Sequence, residues 1–225
     1  MAERHRVLVV DDDPATRAAY RAFLNRQPGL EVVGEARNGE EGVRAYADQL
    51  PDVVLMDLEM PVVSGVEATR RITAAWPDAC VVVLTTFSTH ADVVAALRAG
   101  ASGYLLKDVG GAGLLNGIRQ ALTGDMPLSS AVRRELVGSV LREPTPGDVS
   151  AAAQVTRRER ELLDWLAQGL TNQQISAQMF LSAGSVKQYL SRIGDKLGVK
   201  SRTGILIRAI QLGLVAPHRL PPPRT

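Results

Sequence analysis

The stretch Val7-Leu8-Val9-Val10-Asp11-Asp12-Asp13 decides the fold, because four apolar residues run directly into three acids. The construction recurs downstream. Val53-Val54-Leu55-Met56 ends in Asp57, Val81-Val82-Val83-Leu84 in Thr85, and Tyr104-Leu105-Leu106 in Lys107. Short apolar runs of this kind suit the buried strands of a parallel sheet. The carboxyl ends of parallel strands share one edge, so these polar residues converge in one crevice.

Around these runs, strands are expected at 6–10, 30–35, 52–56, 80–84 and 103–106, and helices at 14–27, 39–48, 64–75, 90–98 and 110–123. Such alternation gives an α/β fold, a doubly wound five-stranded parallel sheet with helices on both faces, over residues 1–124. Asp13-Pro14 reads as a helix N-cap followed by proline at the first helical position. That leaves Asp11 and Asp12 for chemistry.

The pattern changes after Gly124. Residues 125–154 read as a linker with one helix, 128–141, in which Leu128, Val132, Leu136 and Val140 fall at helical spacing. A Pro- and Gly-containing stretch follows from Glu143. Residues 155–216 read as a small all-α domain of four helices. Thr156-x-x-Glu159 is a capping box, and Thr171, Ser182 and Ser201 are the N-caps of the next three helices. Four short helices in this space match a helix-turn-helix with supporting helices. Residues 217–225 read as a disordered tail.

Charge divides along the same boundary. Residues 1–123 carry 12 Lys and Arg against 16 Asp and Glu, net −4, whereas residues 155–225 carry 11 against 4, net +7. The overall +2 hides this asymmetry. A basic domain attached to an acidic one is a candidate for binding a polyanion. The lone Cys80 excludes an intrachain disulfide and fits a reducing compartment. No apolar stretch approaches the roughly 18 residues of a membrane span, so the expectation is a cytoplasmic protein with no membrane partner.

The crevice residues suit a hard divalent cation, which takes oxygen ligands and keeps several waters. Asp11, Asp12 and Asp57 supply carboxylates, and the chain past Asp57 adds a backbone carbonyl at Glu59. Clustered acids repel one another, and Lys107 is the counter-charge and a ligand for a phosphoryl oxygen. Asp57 is then the nucleophile for a phosphoryl group, with Thr85 offering its hydroxyl. In the helical half, Val186, Leu190, Ile193 and Leu197 form one apolar stripe. Lys187, Gln188, Ser191 and Arg192 therefore point outward, and all four residue types contact bases or phosphates. The preceding segment TNQQISAQMFLSAGSV makes this the second helix of a helix-turn-helix, the one that enters a major groove.

Residues 6–123 resemble the receiver domain of two-component response regulators, in the words VLVVDDD, DVVLMDLEMP, VVVLTTF and AGASGYLLKD. The stretch VTRRERELLDWLAQGLTNQQISAQMFLSAGSVKQYLSRIGDKLGVKSRTGIL resembles the LuxR-type helix-turn-helix. Together they resemble the NarL/FixJ class. The resemblance implies Asp57 as phosphoacceptor from a sensor histidine kinase, and Asp11 and Asp12 as Mg2+ residues. It implies Thr85 and Tyr104 as switch residues, the Tyr104 ring turning inward on switching, and Lys107 as the phosphoryl-binding lysine. On the DNA side it implies base or groove contacts by Lys187, Gln188 and Ser191. Backbone contacts fall to Arg192, Lys200, Ser201, Arg202 and Thr203, and the helix around Ile205–Ile210 is a dimer surface. Glu59, glycines 110, 111, 113 and 117 in the fifth receiver helix, Tyr189 in place of a usual His, and Gly194 in place of an apolar residue depart from the pattern.

The reading is a DNA-binding response regulator, not an enzyme, with no catalytic residues. Phosphorylation of Asp57 with Mg2+ switches homodimerisation and binding of double-stranded DNA. The alternatives are a receiver-type transcription factor that works without phosphorylation, and a Mg2+-dependent phosphohydrolase using Asp57.

Overall fold

The computed structural model describes residues 4–86, 90–125, 127, 154–199 and 201–215. The first domain alternates β1 (His5–Val10), α1 (Pro14–Leu24), β2 (Leu30–Ala36), α2 (Gly39–Gln49), β3 (Val53–Asp57), α3 (Gly65–Ala75), β4 (Val81–Thr85), α4 (His90–Arg98) and β5 (Gly103–Leu106). A single 3-10 turn, Lys107–Val109, leads into α5 (Gly110–Leu122). The second domain is α6 (Arg157–Ala167), α7 (Asn172–Met179), α8 (Ala183–Leu197) and α9 (Arg202–Gln211).

The sheet order is β2-β1-β3-β4-β5, with every pairing parallel. Alternate residues of each strand feed opposite cores. Val7, Val9, Leu55 and Leu84 pack with Leu24, Leu114 and Ile118 of α1 and α5. Leu8, Val10, Val54 and Met56 pack with Tyr46, Ala68 and Ile72 of α2 and α3. Burial on both faces explains why these strands read as continuous apolar runs. Succession along the sheet reverses between β1 and β3, which opens a crevice at their carboxyl ends. Asp11 follows β1 there, and Asp57 ends β3.

The expected caps form. Asp13 accepts the N–H groups of Ala15 and Thr16 with Pro14 at the first position, and Thr156 and Glu159 make a reciprocal capping box. Leu162, Leu163 and Leu166 of α6 pack with Ile175, Val186, Leu190, Ile193 and Leu197 of α7 and α8 in one core. Gly194 has a steric cause, since a Cβ there would stand 2.5 Å from the Val199 carbonyl oxygen.

One expectation is corrected. α1 stops at Leu24, three residues short of 27, because Pro28 disfavours helix at Gln27. The Asn25 side chain instead accepts the Val32 N–H at 2.8 Å. In the glycine-rich fifth helix, Gly117 is buried in α5, and any Cβ there would collide with Leu105. The expected helix at 128–141, most of the linker and the tail lie outside the described residues. No described helix is long and apolar enough to cross a membrane. Cys80 packs half-buried, and burial pushes its thiol up to about 11, far from a reactive thiolate.

Candidate functional site: an acidic crevice and a basic helix

Three carboxylates meet at the carboxyl edge of the sheet. Asp11, Asp12 and Asp57 each bring an oxygen within 4.8 Å of the others. Asp11 and Asp57 are buried, at 2% and 6% exposure, while Asp12 opens to solvent. Lys107, fixed by the 3-10 turn after β5, reaches in to 2.7 Å from Asp11 Oδ2 and 3.3 Å from Asp57 Oδ2. Burial pushes the Asp57 carboxyl above its ordinary value. Lys107 pulls it down, Asp11 adds to the rise, and the balance remains upward. Burial alone would lower Lys107, but its bonds to Asp11 and Asp57 outweigh that and raise it.

The backbone around Asp57 is tightly set. Asp57 Oδ1 accepts the Leu58 N–H at 2.9 Å, and Gly65 N–H donates to Leu58 O at 3.0 Å. A Cβ at Gly65 would collide with the Asp57 carbonyl, so glycine alone lets α3 start this close to the end of β3. Thr85, 1% exposed, stands one residue beyond Leu84, the register partner of Asp57. The Glu59 side chain is exposed and its carboxylate is not in the three-acid cluster.

Tyr104 is wholly enclosed with Leu58, Val83 and Val93, Ala96 and Leu97 of α4. Its hydroxyl is buried and has no hydrogen-bond partner among the described residues. The ring thus occupies the inward position in this structure. Ile207 of α9 joins the same cluster, so part of the expected dimer helix lies against the receiver.

Sequence reasoning missed Arg17. Its Nη1 donates to Asp11 O at 2.6 Å and Asp12 O at 3.0 Å, and its Nε stands 3.7 Å from Glu35. This guanidinium ties the acidic loop from behind. A position four residues past the N-cap, one turn into the helix, was the available signal.

On α8, Lys187, Gln188, Ser191 and Arg192 are exposed and the stripe Val186, Leu190, Ile193 and Leu197 is buried. The Arg192 guanidinium lies 5.8 Å from the Tyr189 ring centroid, within cation–π range. Lys200 lies outside the described residues. Ser201 caps α9, its hydroxyl accepting the Gly204 N–H at 3.0 Å. Two expected backbone contacts turn inward. Thr203 is fully buried. Arg202 bonds Asn172 Oδ1 and Leu170 O at 2.6 Å, and burial pulls its guanidinium down to about 10. The cause is the tight turn into α9, which points these side chains at α7 and the core.

A five-stranded receiver-type sheet with an acidic, lysine-bridged crevice, followed by a basic helix-turn-helix, defines a response regulator that acts on DNA. Residues 7–119 match the response regulator receiver domain family, and residues 153–209 match the luxR family of bacterial regulatory proteins. The chain is 38% identical over 210 residues to the transcriptional regulatory protein LiaR of Bacillus subtilis, covering 93% of this chain and 99% of that protein. It is 36% identical over 198 residues to the nitrate/nitrite response regulator NarL of Escherichia coli K12, covering 87% and 90%. Among solved structures, the response regulator ChrA of a haem-sensing two-component system is similar at 35% identity and a TM-score of 0.52, covering 95% of this chain and 100% of that one. The chain belongs to the two-component response regulators of the NarL/FixJ class, transcription regulators with a receiver and a LuxR-type DNA-binding domain.

Proposed function

We propose that Asp57 accepts a phosphoryl group from the phosphohistidine of a sensor histidine kinase, and that this switches dimerisation and DNA binding. The observation that carries the proposal is Lys107 bridging two buried acids beside an exposed third. Such a cluster is short of positive charge and open on one side.

An oxygen of Asp57 attacks phosphorus. The phosphorus–nitrogen bond of the phosphohistidine breaks, the imidazole nitrogen keeps the electron pair, and an acyl phosphate forms. Burial makes the Asp57 carboxylate more basic than a solvated one, which favours attack. Lys107 moves from carboxylate to phosphoryl oxygen, and the Thr85 hydroxyl donates to another. Arg17 keeps Asp11 and Asp12 in place by holding their carbonyls. Oxygen-only donors in this number suit Mg2+, which Asp11, Asp12, Asp57 and the Glu59 carbonyl would hold. Bound there, the ion supplies positive charge against the charge that develops on the phosphoryl oxygens.

At the output end, Lys187, Gln188, Ser191 and Arg192 present donors and acceptors to a major groove. Binding double-stranded DNA as a dimer requires α9 to leave the α4 surface that Ile207 now touches.

Incubation with acetyl phosphate and Mg2+, followed by intact-mass measurement, yields one phosphoryl group per chain and none for Asp57→Asn. Continuous hydrolysis of phosphate esters, or phosphorylation retained in Asp57→Asn, overturns the reading.

A further inference from the structure

The outer face of α8 carries a cation held by a ring instead of an acid. Arg192 is exposed, and its guanidinium carbon lies over the Tyr189 ring, 5.8 Å from the centroid. The two residues are three apart, so they are neighbours on the helix surface. Among the described residues, no carboxylate stands within ion-pair distance of Arg192.

Tyr189 is itself fixed. Its side chain is half-buried and packs against the core of the helical domain. The core thus holds the ring, and the ring holds the guanidinium. Other arginines of the chain spend their N–H groups on oxygen. Arg202 gives its own to Asn172 and Leu170, and Arg70 and Arg71 give theirs to Glu67. A ring contact attracts the charge and leaves most of the N–H donors free. A long side chain restrained in this way has given up part of its rotamer freedom before a ligand arrives.

The place of Arg192 on the helix says which ligand. α8 is 15 residues long, with Lys187 and Gln188 in its first half. Arg192 lies one turn beyond Gln188 on the same face, about 7.5 Å past Lys187 along the axis. The N-terminal residues of a recognition helix reach base edges, and residues farther along meet the DNA backbone. We propose that Tyr189 is a positioning residue for DNA binding, which holds Arg192 ready for one backbone phosphate. The inference rests on the DNA-binding reading above and adds the residue that sets the arginine. The usual His in place of Tyr189 would repel the guanidinium whenever it is protonated.

The test uses the full-length chain treated with acetyl phosphate and Mg2+. Its probes are a duplex that the wild type enriches from a random-sequence pool and a scrambled duplex of the same length. Fluorescence anisotropy over a range of KCl gives affinity and salt slope. Arg192→Ala lowers the salt slope by about one counterion and weakens both duplexes by the same factor. Tyr189→Leu lowers affinity about threefold, the scale of an exposed cation–π contact, and Tyr189→Phe, which keeps the ring, stays at wild type. In the Arg192→Ala background, Tyr189→Leu costs nothing further. Additive losses would mean that Tyr189 acts on its own, and they overturn the proposal, as does a loss in Tyr189→Phe equal to that in Tyr189→Leu. Arg192→Lys leaves the core untouched, so it reports even where Tyr189→Leu does not fold. It keeps the charge and loses the planar group that suits a ring. Its affinity falls about threefold with the salt slope kept, and unchanged affinity overturns the proposal. Failure of the wild type to enrich any duplex overturns the DNA-binding reading and this one together.

Discussion

Both domains bury a lysine–carboxylate contact, and they put it to opposite uses. In the helical domain, Lys196 Nζ lies 2.8 and 2.7 Å from the two oxygens of Glu159. Glu159 also accepts the N–H and hydroxyl of Thr156. Burial would raise this carboxyl, but the bonds from Lys196 and Thr156 outweigh it and hold it low. In the receiver, Lys107 serves two buried acids at once with a third beside them, and Asp57 is pushed up. One arrangement is complete and acts as a staple. The other sets one lysine against three acids and carries excess negative charge. Burial by itself does not distinguish them; the match of cations to anions does.

The sharpest test removes the staple. Glu159→Ala leaves Lys196 without its partner and deletes the capping box of α6, at a cost of about 3 kcal/mol to the helical domain. Trp165 in α6 and Trp76 beside α3 report the two domains separately in urea. The Trp165 transition moves to lower urea and the Trp76 transition stays. An equal shift at both would break the comparison.

Neutralising the crevice acid has the opposite sign. Asp57→Asn removes one of two carboxylates that share a lysine, so the receiver gains on the order of 1 kcal/mol. Chemical denaturation at pH 7 followed at Trp76 measures it, and a loss of stability would place Asp57 with Glu159 as a structural acid. The pH dependence separates the pair further. The folded value of Asp57 lies above 3.8. Its cost is therefore present in full above that raised value and is relieved as pH falls through it. The folded value of Glu159 lies below 4.5. Its contribution is complete above 4.5 and drains as pH falls through the lowered value. On acidification, wild type therefore converges with Asp57→Asn at Trp76, while the Trp165 transition moves to lower urea.

Much of this was legible in the chain. Short apolar runs ending in Asp11, Asp57, Thr85 and Lys107 located the strands and the crevice, because strands buried on both faces carry apolar residues at every position. Asp13, Thr156, Thr171, Ser182 and Ser201 announced the helix starts, because capping is a local interaction. Long-range polar contacts were not legible. Arg17 bonds main-chain carbonyls, which every residue carries. Arg202 and Thr203 look like surface residues of a basic segment until α9 packs them inward. Asp125 reads as the first residue of a linker, and it accepts the N–H of Asn172, 47 positions away.

The smallest expected effect lies in two residues with left-handed backbones, one in each domain. Val62, in the loop after Asp57, has a φ of 70°, and Phe180, between α7 and α8, has a φ of 55°. Both side chains are exposed, at 84% and 95%, so neither is repaid by burial. Branching at Cβ makes the left-handed region costlier for valine than for phenylalanine. Glycine removes that strain and adds chain entropy to the unfolded state. The net gain is about 0.5 kcal/mol for Val62→Gly and close to zero for Phe180→Gly, read as midpoint shifts at Trp76 and Trp165. A larger gain at Phe180 would mean that the helix-turn-helix turn, not the loop beside Asp57, holds the greater strain. Strain beside Asp57 agrees with the rest of the crevice, where unfavourable charge and unfavourable backbone are kept within a few residues of one buried carboxylate.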